Sequence, residues 1–272
     1  MSRTFELLQR TGRSQSLFQD PAPPPEAAST GTDRTWLEEV PSPSNLSNAD
    51  ANAGARRLRL DIEGVGREES LKFARRVFLS QESDAARCVV FSGVERAVGS
   101  TWNCVCAART LATQVTGRVC IVDANFRHPG LHRFFGVTNS GGLASALTQS
   151  GSVSSFLLQL GDTNLWLLPS GTDKSDLSRY CTPLEMELRL TELRDQFDYV
   201  LIDSPPSNQY ADALALGAMT DGVVLVLESE STHRDAARRA TENLRAARVR
   251  MIGAILNKRS YPIPQFIYRM MR

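Results

Sequence analysis

The chain has 272 residues, of which 42% are hydrophobic and 22% charged, and a formal net charge of +1. These values suit a globular protein of one large domain or two small ones. They exclude a general electrostatic pull toward nucleic acid or an anionic membrane.

No apolar run approaches the roughly 20 residues that cross a bilayer. The stretch Met1 to Asp20 lacks the apolar core of a signal peptide, so the chain reads as cytoplasmic. Residues 1–19 have the makings of a short helix through Phe5, Leu7 and Leu8. Residues 20–58, with PAPPP and VPSPSN, are too polar and proline-rich to bury much surface and read as a flexible linker. The expected organisation is an N-terminal segment 1–60, a globular domain 61–260 and an aromatic, basic tail 261–272.

Within the domain, 67–80 has the spacing of an amphipathic helix, with Leu71, Ala74, Val77 and Phe78 as its apolar stripe. Glu69, Lys72 and Arg75 follow at three-residue steps on a neighbouring face, the pattern of a solvated, ion-paired surface. Cys88 to Phe91 is a short apolar run that predicts a buried strand. A polar loop follows through Thr101, and a helix starts there with Val105, Ala108, Leu111, Ala112 and Val115 at helical spacing.

Further strands are expected at 119–122, 165–168, 197–202, 223–227 and 251–256. The intervening helices are expected near 140–149, 182–195, 209–219 and 232–247. The helix at 182 has threonine as N-cap, proline at N1 and an inner face of Leu184, Leu188 and Leu193. The helix at 232 turns Ala236, Ala240, Leu244 and Ala247 inward. Alternating apolar strands and helices predict an α/β fold: a doubly wound, mostly parallel sheet with helices on both faces. The cysteines, Cys88, Cys104, Cys106, Cys120 and Cys181, form no C-x-x-C pair and read as small buried hydrophobes, which gives no support to a zinc site.

Ligands of such folds bind at the carboxyl ends of the strands. There the sequence places the loop 92–101, Asp123, Asp203 and Asn257. Strand, glycine-containing loop and helix N-terminus form the layout that cradles phosphate. Two aspartates ending two apolar strands suit a phosphate-bound Mg²⁺, and Thr101 is placed to set its hydroxyl on that ion. The motif G-x-x-x-x-G-K-[ST] is incomplete: Val94 and Ser100 stand where it needs glycine and lysine, while Gly99 and Thr101 match.

Residues 121–137, IVDANFRHPGLHRFFGV, and 197–206, FDYVLIDSPP, closely resemble the two acidic motifs of bacterial tyrosine autokinases of capsule and exopolysaccharide synthesis, within the MinD/ParA-like P-loop ATPases. Asp212-Ala213-Leu214, Leu168-Pro169-Ser170-Gly171 and Leu256-Asn257-Lys258 also fall where that family has similar residues. Glu69, Lys72 and Arg75 resemble its E-x-x-R-x-x-R oligomerisation motif, with lysine for the first arginine. The resemblance covers about 65–260.

It implies a P-loop domain that uses ATP and Mg²⁺ and transfers phosphate to tyrosines of its own tail. It also implies a membrane polysaccharide copolymerase or adaptor as partner. Thr101, Asp123 and Asp203 would be the magnesium and catalytic positions, Gly99, Ser100 and Thr101 the phosphate loop, and Asn257 an adenine contact. The sequence departs from the pattern in four ways. Ala97 replaces a loop glycine and narrows the backbone's freedom, Ser100 removes the cation from the β- and γ-phosphates, and Glu95 stands where MinD-type loops carry a lysine. The tail has only Tyr261 and Tyr268 as acceptors.

Phosphoryl transfer depends on positioning and charge, so binding is expected to outlast fast chemistry. Two functions remain open: a weak or conditional autokinase-like nucleotide binder, and a catalytically inactive scaffold or regulator of polysaccharide export. Arg96, within the loop, is either an ordinary solvated residue or a replacement cation in cis. DNA partitioning is disfavoured by the near-neutral charge, and a dinucleotide dehydrogenase by the lack of G-x-G-x-x-G after a strand.

Overall fold

All six expected apolar runs form strands, and a computed structural model of the chain adds a seventh. The structure describes residues 65–80, 85–171 and 182–258. The short N-terminal helix, the linker, Cys181 and the tail 261–272 lie outside the described residues.

The strands are β1 (Cys88–Gly93), β2 (Val119–Asp123), β3 (Leu158–Gln159), β4 (Leu165–Leu168), β5 (Tyr199–Ser204), β6 (Gly222–Glu228) and β7 (Met251–Asn257). The helices are α1 (Val65–Val77), α2 (Ser100–Gln114), α3 (Leu131–Phe135), α4 (Leu143–Thr148), α5 (Pro183–Gln196), α6 (Asp212–Ala218) and α7 (Arg234–Ala246). A 3-10 turn covers Val153–Phe156.

The sheet runs in the order β3-β4-β2-β5-β1-β6-β7, and every neighbouring pair is parallel except β3 with β4. The antiparallel β3 is two residues long and exposed, too short to leave a period in the sequence. Alternate strand residues face opposite sides, so the sheet carries two cores. On one side Val89, Phe91, Ile121, Leu167 and Leu201 pack with Phe78, Cys104, Ala108, Leu111 and Leu131 from the α1, α2 and α3 region. On the other, Val90, Val122, Ile202 and Leu225 pack with residues of α4 to α7, such as Leu143, Leu190, Leu216 and Leu244.

Two helix faces differ from expectation. In α5 the buried residues are Met186, Leu190 and Leu193, while Leu184 and Leu188 are exposed. The helix carries two apolar stripes, and the one with three members faces the sheet. Its start follows the sequence closely: Thr182 and Glu185 form a reciprocal capping box ahead of Pro183. In α7 Ala236, Ala240 and Leu244 are buried, but Ala247 lies past the helix end and is exposed. Val249 is buried in its place, after a turn at the left-handed Arg248.

Cys88, Cys104, Cys106 and Cys120 are free and buried. Burial pushes the Cys106 thiol up to about 11, so it is an inert packing group. Among the described residues no helix is long and apolar enough to cross a membrane.

Candidate functional site: the loop after the first strand

The chain leaves β1 through α2 on one face of the sheet and leaves the adjacent β5 through α6 on the other. This makes a crevice at the carboxyl ends of β1 and β5. The loop 94–99 lies there. Val94 N–H is tied to Val226 O at 3.0 Å, which starts the loop from the sheet itself. Gly99 has φ 89° at the N-cap of α2, and a Cβ on it would collide with Asn257 Nδ2. Ala97 is also left-handed, with φ 60°, a conformation that costs an L-residue roughly 1–2 kcal/mol.

Thr101, in the first turn of α2, donates its hydroxyl to Asp203 Oδ2 at 2.8 Å. Asp203, next to last in β5, is completely buried, and its other oxygen, Oδ1, has no hydrogen-bond partner. Burial raises the Asp203 carboxyl well above its usual range. The neighbouring Asp123 adds to the rise, and the Thr101 bond opposes it.

Asp123 is paired in register with Asp203 across β2 and β5. Its oxygens accept three backbone N–H bonds, from Asn125 at 3.1 Å and from Gly130 and Leu131 at 3.0 Å. Burial pushes Asp123 up to about 6, a rise that the N–H bonds of Leu131, Gly130 and Asn125 limit. Asp123 is therefore first an anchor that folds 124–131 back over the crevice. A Cβ on Gly130 would lie 3.3 Å from Thr101 Cγ2, so this return loop touches the start of α2.

The segment after β5 is strapped to β1. Ser92 Oγ donates to Pro205 O at 2.8 Å, Ser204 Oγ to Phe91 O at 3.1 Å, and Ser207 N–H to Gly93 O at 2.9 Å. These three serines were not singled out in the sequence, since hydroxyls in apolar strand ends carry no period.

The far strand also reaches the loop. Asn257 Nδ2 donates to Val98 O at 2.9 Å, and Lys258 Nζ donates to Ala97 O at 2.9 Å while pairing with Glu228 at 3.1 Å. On the opposite side Arg96 Nη2 meets His128 Nε2 at 2.7 Å. Arg127 lies 4.1 Å over the ring of Tyr210 and 3.8 Å from Asp212, linking the return loop to α6.

The structure thus gathers Gly99, Ser100, Thr101, Asp123, Asp203 and Asn257 at one end of the sheet. Glu69, Lys72 and Arg75 are elsewhere, exposed on α1, where Lys72 bonds Glu69 at 2.9 Å. Among the described residues no group of three or more His, Cys, Asp or Glu side chains is placed to hold a metal. Two carboxylates and a hydroxyl suit an ion that keeps waters and takes its other ligands from phosphate, and the orphaned Asp203 Oδ1 is an acceptor that such an ion would satisfy.

No protein-family model matches the chain. It is 31% identical over 140 residues to the tyrosine-protein kinase YwqD of Bacillus subtilis, a match of 52% of this chain and 59% of that protein. It is 23% identical over 173 residues to the tyrosine-protein kinase CpsD of Streptococcus agalactiae, covering 63% of this chain and 75% of that one. The chain therefore spans less than two thirds of YwqD.

Among solved structures, the chimeric protein CapA2B2 superposes with a TM-score of 0.68 at 23% identity, covering 74% of this chain and 88% of that one. The BceF tyrosine kinase domain gives 0.64 at 25%, covering 72% and 79%. A ParA family ATPase from Chlorobium tepidum gives 0.52 at 18%, covering 64% and 75%, a likeness of fold alone. By sequence the relatives of this chain are bacterial tyrosine-protein kinases, and by fold it stands with their kinase domains and with the ParA-type P-loop ATPases.

Proposed function

We propose that the chain binds MgATP in the crevice between β1 and β5 and is a tyrosine-autokinase-like protein of exopolysaccharide or capsule synthesis, with weak or conditional phosphotransfer. The observation that carries this reading is the Thr101–Asp203 pair with its unpartnered, buried Oδ1 beside a phosphate-sized loop. In this reading Thr101 and Asp203 hold the magnesium ion, Asp123 supports it through water, and Gly99 and Ser100 present loop amides to the phosphates. Asn257, at the loop's edge, lies toward the base.

Bound Mg²⁺ supplies charge neutralisation of the phosphates. The protein's own share is to orient the nucleotide and to cover it with the loop 124–131. Ser100 supplies no cation. Loss of one stabilising group at a reacting centre costs about 3–4 kcal/mol by analogy with a lost oxyanion donor, so turnover is slow.

The remaining parts of the reading rest on the sequence pattern and the resemblance it carries. Segment 1–60 is an N-terminal arm, 61–260 the nucleotide-binding domain and 261–272 a docking or acceptor tail. The protein works in the cytoplasm at the inner face of the membrane with a polysaccharide copolymerase. Copies associate through Glu69, Lys72 and Arg75.

The test is a MgATP titration with phosphotyrosine detection on the purified full chain. Binding at millimolar ATP or below is expected, and Ser100→Lys is expected to raise turnover by roughly 10²-fold. Absence of binding at millimolar ATP would refute the reading.

One observation favours a second function, a catalytically inactive scaffold of a polysaccharide export complex: Asn257 and Lys258 tie two loop carbonyls from outside. In that case Asp203→Asn leaves polysaccharide export intact, while deletion of 261–272 abolishes it.

A further inference from the structure

We infer that Arg96 is the phosphate-binding cation of this site, standing in for the lysine absent from position 100 and parked on His128 while no nucleotide is bound. The inference rests on the proposed MgATP reading and names a residue that reading leaves without a role.

Among the described residues, three cations border the loop. Arg127 is engaged by the Tyr210 ring and Asp212. Lys258 is neutralised by Glu228 and spent on Ala97 O, on the β7 side. Arg96 alone of the three has no carboxylate partner among the described residues: its Nη2 meets His128 Nε2 at 2.7 Å. A guanidinium can only donate, so this imidazole nitrogen accepts and carries no proton.

Position matters as much as charge. His128 sits on the return loop. Its N–H donates to Asn125 Oδ1 at 3.1 Å, and Asn125 and Gly130 are themselves held by Asp123. The same loop touches Thr101. The Arg96–His128 contact therefore ties the loop 94–99 to the return loop that Asp123 anchors and that reaches the start of α2 beside Thr101. A lysine at position 100 would rise from the start of α2, whereas Arg96 approaches from the loop's outer rim. Both serve one anion from different backbone positions.

The exchange is chemically favourable. Arginine leaves a neutral imidazole for a charged phosphoryl group, which it can grip through two N–H donors, a charge-assisted pairing stronger than the one it gives up. His128 holds the guanidinium to the return loop, with both side chains exposed. It is the resting acceptor and makes no contact with the nucleotide.

The experiment is calorimetric titration of the full chain and its variants with MgATP and MgADP. Arg96 is exposed, so its replacement leaves the melting temperature unchanged. Arg96→Ala is expected to weaken MgATP by roughly tenfold or more, the usual loss of a hydrogen bond to a charged group, and MgADP far less. Ser100→Lys in the Arg96→Ala background is expected to restore MgATP affinity, because both cations serve the same phosphate. His128→Ala is expected to bind MgATP as tightly as wild type or more tightly.

Wild-type protein that binds MgATP while Arg96→Ala binds it equally well would overturn the inference and leave the proposed function standing. Equal losses for MgATP and MgADP would overturn the terminal-phosphate role, and a loss in His128→Ala as large as in Arg96→Ala would overturn the parking role. Wild-type protein that binds neither nucleotide would overturn both the inference and the function on which it rests.

Discussion

Asp123 and Asp203 stand directly opposite each other on neighbouring parallel strands, both without solvent exposure, and burial raises both carboxyls. The folded protein therefore holds protons that the unfolded chain has released. The slope of stability with pH follows that difference, so each raised carboxyl makes folding less favourable as pH rises. For Asp123 the window runs from the ordinary 3.8 up to about 6, and for Asp203 it begins at the same 3.8 and extends well above it. Asp203→Asn removes a buried charge while keeping an acceptor for Thr101. In the nucleotide-free protein it is expected to raise the melting temperature at pH 8 by roughly 2–4 °C, the effect of about 1 kcal/mol. The gain should shrink as the pH falls toward 5. A thermal melt series in matched buffers measures it, and a gain that grows on acidification would contradict the assignment.

Asp123 has a different job from its neighbour. Its carboxylate satisfies three backbone N–H groups of one loop. Asp123→Ala orphans all three, and each buried unsatisfied donor costs about 1–3 kcal/mol. The expected result is a loss of at least 3 kcal/mol in chemical denaturation and faster hydrogen exchange at Asn125, Gly130 and Leu131. Retained exchange protection there would show that other acceptors take over.

Two neighbouring loop positions should respond in opposite directions. Ala97 holds φ 60° against its preference, so Ala97→Gly relieves strain and is expected to stabilise by up to about 1 kcal/mol, less the entropy glycine adds to the unfolded chain. Gly99 holds φ 89° with Asn257 against its missing side chain. Gly99→Ala is expected to destabilise by more than about 2 kcal/mol, through left-handed strain and displacement of Asn257 from Val98 O. Equilibrium unfolding of the pair of variants tests both signs together.

The outward face of α5 gives a clean contrast with its inward face. Leu184 and Leu188 are 65% and 56% exposed, whereas Leu190 is 3% exposed. Leu184→Gln and Leu188→Gln are each expected to change stability by less than about 0.5 kcal/mol, and Leu190→Ala to cost about 2–5 kcal/mol. Urea denaturation of the three variants separates the faces. A large loss at Leu188 would mean that the exposed stripe is covered in solution.

The strands were legible because each is an apolar run, and their useful ends were legible because the run stops at a charged residue, as at Asp123 and Asp203. Thr101 was legible as the hydroxyl of the G-x-x-x-x-G-K-[ST] pattern, two positions after Gly99; the helix itself starts one residue earlier, at Ser100. The α5 face was not, since Leu184 and Leu188 compete with Met186, Leu190 and Leu193 for the same helix, and only the sheet decides between them. The division of labour between the two aspartates was not legible either. Asp123 serves amides within eight positions of itself, while Asp203 meets a hydroxyl 102 positions away. The Arg96–His128 contact and the Asn257 and Lys258 bonds likewise join segments 32, 159 and 161 positions apart. Such bonds leave no periodicity, because each depends on which strands happen to lie side by side.

The bonds from Asn257 and Lys258 make the end of β7 a handle on the loop after β1. Lys258 is the last described residue, and its ammonium grips the carbonyl of Ala97. Whatever follows along the chain is thus joined covalently to a residue that holds the loop. A pull on that following segment would be felt at Ala97 and Val98 as well as in β7, and a shift of the loop would tug on Lys258 in return.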